Sequence, residues 1–146
     1  MNLKAFINWF IPLQIQSDEQ LYIRARSNVA VALALGIAAI IYSILYTIMH
    51  HPGGAWTIII VVLILVFPAP LVMRYSGRIK LSGNMVTFGM FIIQFYLTIT
   101  TGGISAQNVS WFATVPVLGT LLAGFGYGIF WGLLSATSII AFYILE

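Results

Sequence analysis

The chain has 146 residues, of which 61% are hydrophobic and only 6% are charged. Soluble globular proteins carry about 25% charged residues, so six basic and three acidic side chains cannot cover the surface of a soluble domain. The sequence contains no cysteine, which excludes disulfides, thiolate metal sites and cysteine nucleophiles. The composition therefore excludes a soluble enzyme and indicates a membrane protein.

The charged residues are confined to short segments of the chain. Residues 27–73 and 81–145 contain no Asp, Glu, Lys or Arg, and these stretches are 47 and 65 residues long. A membrane-spanning helix needs about 20 apolar residues, so they have room for two and three crossings. The sequence therefore predicts an all-α fold, a polytopic transmembrane helical bundle of about five spans, over residues 17–146.

Residues 1–16 form a separate segment before the bundle. An apolar stripe at helical spacing is formed by Leu3, Phe6, Ile7 and Phe10. Two interpretations are open. The segment is a short amphipathic helix lying at the membrane interface, or it is a frayed terminus whose apolar residues pack on neighbouring helices.

The first span begins with a helix start signal at residues 17–20. Ser17 can cap the helix, and Gln20 can complete a capping box by bonding back to the backbone. We expect this helix to run into a span over about residues 28–49. Pro52 and the paired glycines after it should end the span, because neither residue type continues a helix readily.

The second and third spans are predicted over about residues 56–73 and 81–100. Pro68 and Pro70 lie near the end of the second span. Each proline removes a backbone hydrogen-bond donor, so we expect the last turn of this helix to be bent or loosened.

Residues 111–146 form one apolar stretch of 36 residues. A single α-helix of that length would be about 54 Å long, whereas the hydrocarbon core of a bilayer is about 30 Å thick. The stretch must turn, and the glycines within residues 124–128 mark the place. This predicts a fourth span over about 111–123, which contains Pro116, and a fifth over about 128–145.

Polar residues of the third span share one helical face. They are Thr87, Gln94, Thr98 and Thr101. Because polar side chains in lipid turn towards other helices, this face either forms hydrogen bonds between helices or lines a ligand site with the following loop. The candidate ligand-binding residues are Gln94, Thr98, Thr101, Gly102, Gly103 and Ser105.

The basic residues predict the orientation. They lie near the start of the first span and in the connection at residues 74–80, whereas residues 50–54 and 102–110 contain neither Lys nor Arg. The positive-inside rule then places the N-terminus and residues 74–80 in the cytoplasm. With five spans, Glu146 would lie outside.

His50 and His51 are the only histidines, and they lie at a predicted membrane edge. Neighbouring residues of a helix point about 100° apart, so the pair is poorly placed to share one metal ion. We expect no cofactor and no metal. A single imidazole could still ligate a haem or a chlorin.

Gly128, Gly132 and Ala136 recur every four residues. Small residues at this spacing let helices approach closely. The stripe therefore serves helix packing, either within the bundle or between copies of the chain.

The run of residues 100–105, followed by Trp111, Pro116 and the glycine-rich hairpin to Trp131, resembles the N-terminal membrane module of bacterial sensor histidine kinases. Related nucleotide cyclases share similar modules. Residues 101–106 are the most specific part, although Ala106 stands where the family commonly has proline. The resemblance implies sensing, dimeric signalling and the bacterial inner membrane. Family modules usually have six spans, so it also implies an input module lacking the output domain.

Two functions follow from these observations. The first is a sensor input module that perceives a small apolar ligand or the membrane state and passes a helix rearrangement to a partner. The second is a structural accessory subunit of a larger photosynthetic or respiratory membrane complex. Either would have the lipid bilayer and a second copy or other integral membrane subunits as partners, and no nucleic acid. We expect no catalysis, because the sequence offers no phosphoacceptor helix, nucleotide-binding loop or nucleophile–base pair.

Overall fold

The computed structural model describes residues 3–145, and the side chains of residues 4–145. Every regular element in this part of the chain is a helix, as predicted. The α-helices are α1 (Leu3–Trp9), α2 (Leu13–Gln16), α3 (Glu19–Ile48), α4 (Pro52–Val61), α5 (Pro68–Ser76), α6 (Ile79–Thr101), α7 (Thr114–Ala123) and α8 (Phe125–Leu145). A π-helical segment occupies Val62–Val66, and two 3₁₀ segments occupy Gly103–Ser105 and Gln107–Ala113.

Four helices within residues 3–145 are long and apolar enough to cross a membrane. They are α3, α6, α8 and the continuous helix Pro52–Ser76, which contains α4 and α5. The predicted fourth span, residues 111–123, is not among them. Its α-helical part is only the ten residues of α7, because the chain before Thr114 is wound as a 3₁₀ segment.

The bundle has two ends that differ in composition. We call the end formed by the start of α3 and the α5–α6 connection the basal end. It carries Arg24, Arg26, Arg74, Arg78 and Lys80. The opposite end, formed by residues 49–51 and 102–110, is called the outer end, and it contains neither Lys nor Arg.

The start of α3 differs from the prediction at its cap. Asp18, not Ser17, is the N-cap, and its Oδ1 accepts a hydrogen bond from the backbone N–H of Leu21 at 3.1 Å. Ser17 instead donates to the carbonyl of Gln14 at 3.0 Å. The reason is that α2 ends at Gln16, so the Ser17 hydroxyl is used at the end of that helix.

The first connection at the outer end is shorter than predicted. α3 ends at Ile48 and α4 already begins at Pro52, so Gly53 and Gly54 lie in the helix and not in the loop. Proline fits the first helical position because its missing N–H has no partner there in any case. The reversal is made by His50, which adopts a left-handed backbone with φ of 58°.

The second crossing is irregular in the turn before its prolines, Val62–Val66, and not in its last turn as predicted, because α5 is α-helical to Ser76. The N–H of Phe67 bonds to the carbonyl of Val62 at 2.9 Å, five residues back instead of four. Pro68 and Pro70 follow at once. Each lacks an N–H, and each ring crowds the carbonyl four residues earlier, so the preceding turn widens into the π-helical segment.

The N-terminal helices pack beneath the bundle at the basal end. Ile7, Ile11 and Ile15 are buried against Ala25, Val29, Met73 and Ile79. The guanidinium of Arg74 lies over the ring of Trp9 at 3.8 Å from its centroid. Of the predicted apolar stripe, Ile7 is buried and Phe6 and Phe10 are half-buried, whereas the side chain of Leu3 lies outside the described part. The packing is the contact that the second interpretation expects, whereas the helices α1 and α2 show that residues 3–16 of the segment are not frayed.

Glycines bring α6, α7 and α8 together. A Cβ on Gly83 would lie 2.6 Å from the carbonyl oxygen of Leu122, and one on Gly119 would lie 2.7 Å from the ring of Trp131. The turn between α7 and α8 is made at Gly124 alone, where φ is 113°. The predicted turn over 124–128 was too long, because α8 begins at Phe125.

The predicted small-residue stripe faces α7 over part of its length. A Cβ on Gly128 would collide with the side chain of Thr120 and lie 3.1 Å from the carbonyl oxygen of Pro116. Gly132 lies beside the Pro116 ring, whereas Ala136 is exposed. Packing inside the bundle is therefore what the glycines of this stripe do.

Gly128→Ala should destabilise the protein, because the added methyl group has no space against α7. Overpacking of this kind costs about 1–3 kcal/mol, and thermal unfolding in a mild detergent measures it. Gly126→Ala is the matched control, since a Cβ there meets open space. Equal unfolding temperatures for the two variants would contradict the close contact of α7 with α8.

Candidate functional site

A pocket of about 180 Å³ lies between α3, the π-helical segment, α6 and the second 3₁₀ segment. We call it the Gln94 pocket. Its apolar walls include Leu35, Ile58, Val62, Val66, Ile93 and Leu97. Its polar groups come from Gln94, Tyr42, Tyr46 and Asn108. Apolar walls with a few polar groups are typical of small-molecule sites.

Gln94 has a buried amide oxygen without a partner. The residue is 7% exposed, and its Oε1 accepts no hydrogen bond. An unsatisfied buried acceptor costs about 1–3 kcal/mol, so most proteins avoid one. Because Gln94 lines the pocket, a molecule with an O–H or N–H group bound there could supply the missing donor.

The outer end of the pocket is closed by a polar cluster. The side-chain amide of Asn108 donates to the hydroxyl of Tyr46 at 3.3 Å and to Oγ1 of Thr101 at 3.2 Å. These bonds join α3 and α6 to the 3₁₀ segment that begins at Gln107. Tyr46 was not predicted as a site residue, and Asn108 was predicted only as the end of the loop that completes the candidate ligand face. The sequence pointed to Asn108 through its side-chain amide, which lies in an outer loop without charged residues.

The irregular part of the second crossing forms one wall of the pocket. Val62 and Val66, the first and last residues of the π-helical segment, both line it. Single π-helical turns inside α-helices occur frequently at functional sites. The pocket and the widened turn are therefore adjacent.

The other predicted ligand residues are placed differently. Thr98 is fully buried with an unpartnered Oγ1, but it does not line the pocket. Thr101 belongs to the closing cluster. Gly102 and Gly103 have φ of 120° and 56°, so they make the backbone turn that starts the outer loop. Ser105 is exposed on that loop.

The predicted polar face of α6 does not form hydrogen bonds between long helices. Oγ1 of Thr87 donates to the carbonyl of Gly83, and Oγ1 of Thr101 donates to the carbonyl of Leu97, both within α6. Other side chains join the helices instead. These bonds are Asn28 to Ile79, Ser43 to Ala55, Ser82 to Ala69 and Trp131 to Asn84.

Neither histidine lines the pocket. His50 is exposed, and the ring of His51 contacts the ring of Tyr46 edge-on at 6.2 Å between centroids. Within residues 3–145, no three His, Asp or Glu side chains lie close enough together to hold a metal ion. The imidazoles therefore belong to the outer connection.

The chain was compared with known proteins. No protein-family model, curated protein or solved structure matches it.

Gln94→Leu should leave the protein as stable or more stable by about 1 kcal/mol, because it removes a buried acceptor that lacks a partner. Ser82→Ala is the control, since it removes a bond of 2.7 Å to the carbonyl of Ala69. That variant should lose about 0.6 kcal/mol, the average for hydrogen bonds between membrane helices. Thermal unfolding in a mild detergent compares them, and a clear loss for Gln94→Leu would show that the amide holds helices together.

Proposed function

We propose that the chain is a non-catalytic integral membrane module of the sensor input type. Its ligand would be a small apolar molecule carrying one hydrogen-bond donor, bound in the Gln94 pocket. The observation that carries the proposal is the unpartnered Oε1 of Gln94 in the wall of an otherwise apolar cavity. The resemblance to sensor kinase modules adds support, because Thr101 and Trp111, which carry part of it, lie at the pocket rim.

The size of the pocket limits the ligand. An engineered apolar cavity of about 150 Å³ in another protein holds one benzene molecule. A pocket of about 180 Å³ therefore suits a ligand with a single aromatic ring or a short aliphatic chain. Such a ligand would place its donor on Gln94 and its apolar part against Ile93 and Leu97.

The π-helical segment is the proposed path of the signal. A ligand that contacts Val62 and Val66 favours one winding of this turn over another, and a change of winding rotates α5 relative to α4. α5 ends at Ser76 on the basal end, the end that would face an output partner. The rearrangement would pass from there to a second copy or to another membrane subunit.

We also propose that the chain crosses the membrane five times. α6 ends at the outer end, whereas Nη1 of Arg24 lies 3.7 Å from the position of a Cβ on Gly124, which places the α7–α8 turn at the basal end. Residues 102–123 therefore pass from one end of the bundle to the other. The second 3₁₀ segment and α7 together are about 29 Å long, close to the thickness of the hydrocarbon core.

The proposed location is the bacterial inner membrane with the basal end in the cytoplasm. The five basic residues of the basal end support this orientation through the positive-inside rule. α1 and α2 would then lie at the cytoplasmic interface, where the half-exposed ring of Trp9 fits the headgroup region.

The ligand proposal predicts that phenol binds the protein more tightly than toluene. The two molecules have nearly the same size, but only phenol can donate a hydrogen bond to Gln94. One such bond is worth about 0.5–1.5 kcal/mol, so phenol should bind about 2- to 12-fold more tightly. Titration calorimetry of the protein in lipid nanodiscs measures this, with the partition coefficient of each probe taken from empty nanodiscs and each affinity expressed relative to the probe's concentration in the lipid.

Gln94→Leu is the matched variant, and it should abolish the preference for phenol. Equal binding of both probes to the original protein would reject the ligand proposal. If, in addition to equal binding of the probes, the chain co-purified in fixed stoichiometry with a photosynthetic or respiratory complex, its function would be that of a structural accessory subunit and not that of a sensor.

The crossing proposal predicts which introduced cysteines react with a membrane-impermeant thiol reagent. The chain has no cysteine of its own, so each variant carries a single thiol. Gln107→Cys should be labelled in intact cells, whereas Ser76→Cys and Gly126→Cys should be labelled only after permeabilisation. All three positions are exposed in the structure. Labelling of Gly126→Cys in intact cells would reduce the crossings to four, and labelling of Ser76→Cys would reverse the orientation.

A further inference from the structure

A second and larger cavity opens on the side of the bundle at the basal end. This open groove has a volume of about 910 Å³ and lies between α3, α6 and the start of α8. We call it the basal groove. Aromatic side chains dominate its walls, which include Phe88, Phe125, Tyr127, Phe130 and Trp131. All but Trp131 are exposed, so the wall is open to the surroundings of the bundle.

Two basic side chains line the same groove. Arg24 comes from α3 and Lys80 from α6, so the fold brings together charges that are 56 positions apart in the chain. Both residues are exposed. Within residues 3–145 the acidic residues are Asp18 and Glu19, and neither lines the groove or forms an ion pair with these bases. The groove therefore combines an uncompensated double positive charge with an apolar wall.

One of these charges lies next to the α7–α8 turn. Nη1 of Arg24 lies 3.7 Å from the position of a Cβ on Gly124, so the guanidinium extends over the α7–α8 turn. Phe125 and Gly126 follow in the first turn of α8 and also line the groove. Backbone N–H groups in the first turn of a helix have no partner within that helix, and they add to the positive potential beside the two bases.

We infer that the basal groove binds an anionic phospholipid, with its phosphate between Arg24 and Lys80 and an acyl chain along the aromatic wall. Charge complementarity fixes the headgroup end of the ligand, because basic pockets between membrane helices bind anionic headgroups. The aromatic wall fixes the other end, since a free phosphate ion would leave it bare. The lipid site is separate from the Gln94 pocket and does not depend on the proposed sensing function.

The test uses the full chain, purified in a mild detergent, depleted of lipid and then mixed with phosphatidylglycerol or phosphatidylcholine. Native mass spectrometry counts the lipid molecules that stay bound. We expect one phosphatidylglycerol to be retained at least about tenfold more strongly than phosphatidylcholine. Equal retention of the two lipids would overturn the inference without the use of any variant.

Matched charge variants identify the site. Arg24→Gln combined with Lys80→Gln should remove the preference for phosphatidylglycerol. Arg26→Gln combined with Arg78→Gln is the control, because it removes two exposed charges from the same end of the bundle but from outside the groove. An equal loss in both double variants would mean attraction to the basic end as a whole and would overturn a defined site.

Competition distinguishes a lipid from a free phosphate ester. Glycerol 3-phosphate carries a similar phosphate without acyl chains, so it should displace phosphatidylglycerol only at a far higher concentration. Displacement at equal concentration would show that the aromatic wall contributes nothing to binding. The groove would then be a phosphate site and the lipid assignment would be wrong.

Discussion

A backbone N–H or carbonyl inside a bilayer has no water to bond to, so each must find a partner within the protein. Helices meet this requirement throughout most of the chain, and Pro68 and Pro70 disturb it in the middle of the second crossing. The turn before the prolines is a π-helix, in which a backbone N–H bonds to the carbonyl five residues back and so keeps a hydrogen-bond partner. That widened turn forms a wall of the Gln94 pocket. The most distinctive cavity of the molecule thus depends on two missing backbone donors.

The remaining packing relies on small residues and on single hydrogen bonds. Gly83, Gly119 and Gly128 let α6, α7 and α8 approach until backbone touches side chain. Lipid is as apolar as leucine, so burying apolar area gives little reason for membrane helices to associate, and close contact must supply the attraction. The bond from Trp131 to Asn84 then fixes the register of α8 against α6. Gln94 takes no part in this arrangement through its buried Oε1, which accepts no hydrogen bond.

Much of the fold could be predicted from the sequence, because lipid imposes a simple rule on composition. Charge-free stretches predicted the long helices, and Pro68 and Pro70 predicted an irregular turn in the second crossing, although this turn lies before the prolines and not at the end of the helix. The first and last residues of the helices were harder to predict from the sequence. Asp18 replaced Ser17 as the cap because a short helix before it uses the serine, and such a neighbour has no clear sequence signal. Gly124 alone makes the turn that three glycines had suggested, since Gly126 and Gly128 already lie within α8, where Gly128 leaves space for α7.

The candidate site was only partly visible in the sequence. Gln94 was identified because an amide in an apolar span is conspicuous. Tyr46 was missed because it is 62 positions from Asn108, its partner in the candidate loop, and the two meet only through tertiary packing. Thr98 shares a helical face with Gln94, yet it lies outside the cavity. Helical periodicity therefore selects a face, and the neighbouring helices decide which part of that face borders empty space.

The position of the Gln94 pocket among membrane-crossing helices also determines where its ligand would come from. A small apolar solute partitions into the bilayer, and each methylene group adds about 0.8 kcal/mol to that transfer. The pocket would then take its ligand from the hydrocarbon phase, in which the solute is far more concentrated than in water. A site with weak intrinsic affinity would therefore respond to traces of solute in the surrounding medium. Its apparent selectivity among related solutes would follow their partition coefficients as closely as it follows their fit to the protein.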